Sequence, residues 1–157
     1  MMYVGLDPGS SSGAWAIIDH NTAFVACGDI SCPNGRVDAR VLKYAILKHV
    51  GAKDAAMIVI EDVHSMPKQG VASTAKFMRA AGAIEATAAL MGFGYEFELV
   101  TPQKWKKHHG LIGLPKTASL DLARAFFPNA TQELKRQKDH GRADALLMAV
   151  WLKEQYE

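Results

Sequence analysis

Three acids stand at the end of an apolar stretch or inside one. Asp7 closes the run Met2-Tyr3-Val4-Gly5-Leu6, and Glu61 closes Ala56-Met57-Ile58-Val59-Ile60. Asp144 is enclosed by Ala143, Ala145, Leu146 and Leu147. Taking a carboxylate out of water is costly unless it is paired, protonated or bound to a metal. Any one of these acids is accounted for by an arginine partner or a helix cap; the three together ask for more. A first strand and a central strand commonly neighbour each other, which would set Asp7 beside Glu61, and adjacent carboxylates repel unless a cation joins them. Hard oxygen ligands without cysteine favour Mg²⁺ or Mn²⁺ over zinc. Three or four such ligands suit a centre of two ions, about 3.5–4 Å apart, for in-line attack on a phosphodiester.

The charge distribution suits that substrate. Residues 1–100 carry 8 Lys and Arg against 10 Asp and Glu, whereas residues 101–142 carry 9 against 3. Such a basic block is the footprint of a polyanion binder, or else a solvated surface. Within it Lys104, Lys106 and Lys107 surround Trp105 and precede His108 and His109. This interleaving of charge and rings fits a groove for backbone and bases, and fits equally a core tryptophan flanked by solvated lysines. His108 and His109 make a poor metal pair, because adjacent helical residues face different ways. Lys68, Lys76 and Arg79 add positive charge around the loop that follows Glu61.

The elements that must position these residues follow from hydrophobic periodicity. At 157 residues, 49% hydrophobic and 22% charged, the chain reads as one globular domain over 1–157, without repeat or linker. Runs 2–7 and 13–19 form a hairpin through the turn at Pro8–Ser12, and 22–30 supplies a third strand. A helix is expected over 37–50, a buried central strand over 56–60, and a loop over 65–70. An alanine-rich helix follows over 71–91, its small-residue face able to pack on the sheet or on a second copy. Gly92–Gly94 breaks it; a strand over 95–100 and helices over 116–127 and 141–155 complete a three-layer α/β pattern on a mixed five-stranded sheet. Met66, Met78 and Met91 are expected to fill core gaps or a dimer surface. No apolar run reaches the ~18 residues of a membrane span, no basic leader precedes an apolar signal core, and Cys27 and Cys32 fit two reduced thiols. The expectation is a cytoplasmic protein without a membrane partner.

With these residues in order, the chain resembles the RuvC family of Holliday junction resolvases and looks like one of its compact phage-type members. Met2-Tyr3-Val4-Gly5-Leu6-Asp7-Pro8-Gly9 with Gly13 is similar to the family's first strand and turn. Ile58-Val59-Ile60-Glu61-Asp62-Val63 resembles its second acidic motif, followed by a helix with Ser73, Lys76 and Gly82. Thr101-Pro102-Gln103-Lys104-Trp105-Lys106 and Lys116 resemble its basic DNA-contacting segment, and Gly141-Arg142-Ala143-Asp144-Ala145-Leu146 its final acidic motif. The resemblance implies a ribonuclease H-like fold, a homodimer, and Mg²⁺- or Mn²⁺-dependent nicking of opposed strands in four-way or other branched DNA. By position, Asp7, Glu61 and Asp144 carry over as metal-binding catalytic acids, and Lys106 and Lys116 as phosphate contacts.

Two positions depart from the family pattern. Three residues before the last acid, where the family usually has an acid or a histidine, this chain has Gly141. His140, four residues before Asp144, shares its helical face, whereas Asp139 is turned about 140° aside, provided the helix already includes residue 140. His140 is therefore expected as the fourth metal ligand or as an imidazolium facing developing charge. His64 holds a loop position where the family often places an aromatic wedge. With Lys76 and Lys107 it is expected on the DNA-binding surface. Two rivals remain: a catalytically silent branched-DNA-binding module, and a sugar-kinase or actin-like nucleotide binder suggested by the turn 7–13. Cleavage of a labelled junction with Mg²⁺ would exclude the first, and ATP binding by calorimetry would favour the second.

Overall fold

Alternation along the strands decides which acids can meet. The computed structural model describes residues 1–9, 13–51, 54–64, 67–91 and 95–157. Its elements are β1 (Met2–Asp7), β2 (Ala14–Asp19), β3 (Phe24–Asp29), α1 (Ala39–Val50), β4 (Ala56–Glu61), α2 (Val71–Ala89), β5 (Tyr95–Val100), α3 (Pro102–His108), α4 (Lys116–Phe126) and α5 (His140–Tyr156). Among the described residues the strands form one sheet in the order β3-β2-β1-β4-β5. β1 and β3 flank β2 antiparallel, while β1, β4 and β5 run parallel. The expected hairpin with its third strand and the mixed five-stranded sheet are thus present, with β4 inside the sheet.

Each face of the sheet has its own core. Tyr3, Ala14, Ala16, Ile18 and Val59 pack with α4 and α5. Val4, Leu6, Trp15, Ile17, Ile58 and Ile60 pack with Ile46 of α1 and Ile84 of α2. Successive strand residues point to opposite faces, so Asp7 shares the side of Tyr3, and Glu61 the side of Val59. Both acids therefore belong to the face that α5 covers. That helix is buried through its middle on every side, which explains why its apolar residues show no single stripe. It lies directly on β1: a Cβ added at Gly5 would overlap the Ala145 carbonyl oxygen and sit 3.2 Å from the Ala149 nitrogen.

Several boundaries move for local reasons. α1 begins at Ala39 rather than residue 37 because the Asp38 carboxylate caps it, accepting from Arg40 N at 3.1 Å and Val41 N at 3.2 Å. α2 ends two residues before Met91, and α5 begins at His140, one residue before Gly141. The basic segment after Thr101 is itself a helix, α3, with Thr101 as cap and Pro102 in its first turn. Met91 is core and Met78 is surface. The expected turn at Ser10–Ser12, Ser65 and Met66 of the following loop, and the break at Gly92–Gly94 lie outside the described residues. Cys27 and Cys32 are unbonded, and burial pushes the Cys27 thiol up to about 12, as an inert structural thiol requires. Among the described residues no helix is long and apolar enough to cross a membrane.

Candidate active site

The parallel register that pairs Leu6 with Ile60 sets Asp7 and Glu61 side by side one step further on. Asp144, in the second turn of α5, comes down on the same face. The three acids line one cleft of about 500 Å³, together with Lys106, Lys116 and His140. Gly141 eases the approach of α5, since a Cβ there would lie a tight 3.3 Å from Asp7 Oδ2. Gly141 is thus the residue of α5 that packs against the first acid.

The cleft is costly for negative charge. Burial, then the charges of Glu61 and Asp144, push the Asp7 carboxyl well above its ordinary value, against the pull of Lys106 and Lys116. Burial also raises Glu61, opposed first by a hydrogen bond from Trp105. It raises Asp144 from 3.8 to about 6, although Ser119, Lys106 and Lys116 all favour the charged form. Asp144 Oδ1 is buried and accepts no hydrogen bond among the described residues. Hard oxygen donors crowded together, one of them unsatisfied, fit a divalent cation. As placed, however, no group of three or more carboxylate, imidazole or thiol side chains among the described residues could hold a metal ion, so a cation would have to draw the acids together.

Trp105 resolves to the core alternative: it is 0% exposed and its Nε1 donates to Glu61 Oε2 at 2.8 Å. Sequence spacing offered no signal for this contact between residues 44 apart. The neighbouring lysines divide. Lys106 faces the acids, Lys104 lies 5.2 Å over the Trp151 ring, and Lys107 is exposed away from the cleft lining. His108 pairs with Glu154, and His109 Nε2 donates to the Leu147 carbonyl at 2.8 Å, so both tie α3 to α5.

Asp139 is turned aside, as the helical spacing predicts. It is 1% exposed and held by Arg136, whose Nη2 donates to Oδ1 at 2.8 Å and whose backbone N donates to Oδ2 at 2.7 Å. Burial alone would raise its carboxyl, but the Arg136 hydrogen bonds and the Arg142 charge hold it below its ordinary value. Arg142 in turn donates to Asp29 Oδ1 at 2.9 Å, fastening the start of α5 to the end of β3. Arg142 and Asp29 were not singled out from sequence, because their partnership spans 113 residues. His64 is exposed, 3.5 Å from Asp62, and Lys76 lies on the exposed first half of α2 beside Gly35. The structure brings neither into the cleft lining.

No protein-family model matches the chain. A structure of Thermus thermophilus RuvC aligns over 96% of this chain and 92% of its own, with a TM-score of 0.65 and 16% identity. T. thermophilus RuvC in complex with Holliday junction substrate aligns over 96% and 91%, with a TM-score of 0.64 and 15% identity. The fold is the RuvC fold. It is ribonuclease H-like, as the sequence motifs implied. In sequence, 63 residues are 48% identical to the Holliday junction resolvase MOC1, chloroplastic, of Chlamydomonas reinhardtii. That stretch covers 40% of this chain and 7% of that protein, so the chain spans only a small part of its curated relative. In this RuvC-like frame the cleft lies where β1 and β4 end under α5.

Proposed function

We propose that the chain is a metal-dependent, structure-selective endodeoxyribonuclease that resolves Holliday junctions, and other branched DNA, by nicking phosphodiester bonds. The observation that carries this reading is the convergence of Asp7, Glu61 and Asp144 with Lys106 and Lys116 in one cleft. Likeness to RuvC and to the MOC1 stretch supports the choice of substrate.

In this reading Asp7, Glu61 and Asp144, joined by His140, hold Mg²⁺ or Mn²⁺, two ions per site. Ions held there would supply Lewis-acid stabilisation and a water nucleophile at neutral pH. Lys106 and Lys116 draw a backbone phosphate to the acids and screen them from it; Lys116 also faces charge developing on the scissile phosphate. His140 either ligates as the neutral imidazole or faces that charge as imidazolium. Lys107, Lys76 and His64 belong to a wider DNA surface outside the cleft.

Paired incisions need two such sites, and we place a homodimer on the α2 side. The first half of α2 is exposed on nearly every side, with Val71 at 89%. Phe97 and Leu99 of β5, which share the sheet face of Tyr95, are 38% and 45% exposed. The cytoplasm is our proposed place of action, checked by fractionation against a plastid location like that in the relative's name.

The test is cleavage of labelled four-way, three-way, flap and linear duplexes side by side with Mg²⁺. Paired nicks in the four-way substrate are expected, and Asp7→Asn, Glu61→Gln or Asp144→Asn should abolish them while junction binding persists. Equal cutting of linear duplex would remove the structural selectivity. Binding without cutting by the unaltered protein would leave the silent-module reading instead.

A further inference from the structure

Trp105 is enclosed, yet it touches two members of the cleft. Its indole N–H donates to Glu61 Oε2 at 2.8 Å, and Lys106 Nζ stands 5.3 Å from its ring centroid. A tryptophan used only for packing has no need of a carboxylate, and a buried indole N–H must find an acceptor somewhere. Here the acceptor is the acid that ends β4. With Oε2 held from the protein side, rotation of the Glu61 carboxylate at the edge of the cleft is restrained.

The short helix α3 gives this contact a rigid base. Thr101 caps its start, and at its end the His109 ring lies 6.5 Å from the Trp105 ring while donating to the Leu147 carbonyl of α5. Leu147 is one turn beyond Asp144, so the three elements that carry Glu61, Lys106 and Asp144 are joined through two side chains of α3.

We propose that Trp105 is a positioning residue, orienting the Glu61 carboxylate through its indole N–H and seating the Lys106 ammonium on its ring. The role rests on Glu61 acting as a cation-holding acid in the proposed nuclease. Residues that orient a metal ligand typically cost roughly 10–100-fold in affinity or activity when removed.

Two measurements test it. In ¹⁵N-labelled protein, the Trp105 indole N–H signal is expected downfield of those of Trp15 and Trp151. It should shift when Mg²⁺ is added and move upfield in Glu61→Gln. Trp105→Phe keeps a ring and removes the donor. It should lower Mn²⁺ affinity by calorimetry and kcat on a four-way junction by roughly tenfold or more, with the junction Kd changed by less than about twofold. Should Trp105→Phe not fold, Trp15→Phe and Trp151→Phe assign the signal by elimination and the first measurement decides alone. If the protein cuts junctions but the indole signal ignores both Mg²⁺ and Glu61→Gln, the positioning role is overturned. If it cuts nothing but the signal responds to both, the positioning role stands and the assigned substrate falls.

Discussion

Among single residues Asp144 carries the clearest charge cost. Its carboxyl rises from 3.8 to about 6, chiefly through burial, so over that interval the folded protein holds a proton that the unfolded chain has released. Stability then falls as pH rises through the interval, by up to about 3 kcal/mol. Asp7 and Glu61 act in the same sense, whereas His109, which burial keeps neutral, acts in the opposite one. In metal-free buffer Asp144→Asn should therefore raise the Tm more at pH 7 than at pH 5, and Mg²⁺ should stabilise the unaltered protein mainly at pH 7. Equal gains at both pH values in thermal melts would contradict the buried charge. At the start of α5, His140→Ala should slow cleavage at least tenfold with junction affinity retained. Asp139→Ala should cost about 1–3 kcal/mol in denaturant melts, because it removes the acceptor of the Arg136 side-chain and backbone hydrogen bonds and a charge partner of Arg142. The three acids were legible in sequence because a carboxylate in an apolar run is costly in any fold. The partners Trp105 and Arg136–Asp139–Arg142 were not, because only the folded chain brings them to their places.

At the scale of elements, two glycines set how close α5 comes to the sheet. Gly5→Ala would drive a methyl into the Ala145 carbonyl, and backbone on both sides leaves nothing flexible to yield. A loss of about 3 kcal/mol or more, or failure to fold, is expected in chemical denaturation. Gly141→Ala is milder, since the neighbour is the Asp7 carboxylate at 3.3 Å. Alanine favours the helix by up to about 1 kcal/mol, so stability should change little while cleavage falls severalfold. Strands and long helices were readable because apolar period and turn residues agree, as in the run 56–60. α3 was not read, although Thr101-Pro102 signals a helix start, because its lysines and histidines hide any apolar stripe. α5 was readable as a helix but not as the central support, since burial on all sides erases the face that would show its direction.

At the scale of the whole molecule, Lys106 and Lys116 stand beside an acidic floor, so on the proposed function DNA would be drawn to the place where its phosphates meet carboxylates. Lys106→Ala and Lys116→Ala should each lower the log–log salt slope of junction binding by about 0.9, whereas Lys107→Ala, outside the cleft lining, should change affinity less. If the α2 side pairs two copies, Phe97→Glu should give monomers in sedimentation and replace paired incisions by single nicks. A monomeric unaltered protein that still resolves junctions would rule that face out. On the proposed function, the contact between α5 and β1 also governs when the chain could cut DNA. Asp7 and Glu61 precede Asp144 in the chain, and the helix that carries Asp144 must settle on β1. A chain still being translated, or released before residue 140, lacks the helix that covers one face of its sheet and the third acid of its cleft. On the proposed function, chains cut short before residue 140 are therefore expected to be silent as nucleases, the capacity to cut arriving only when α5 docks.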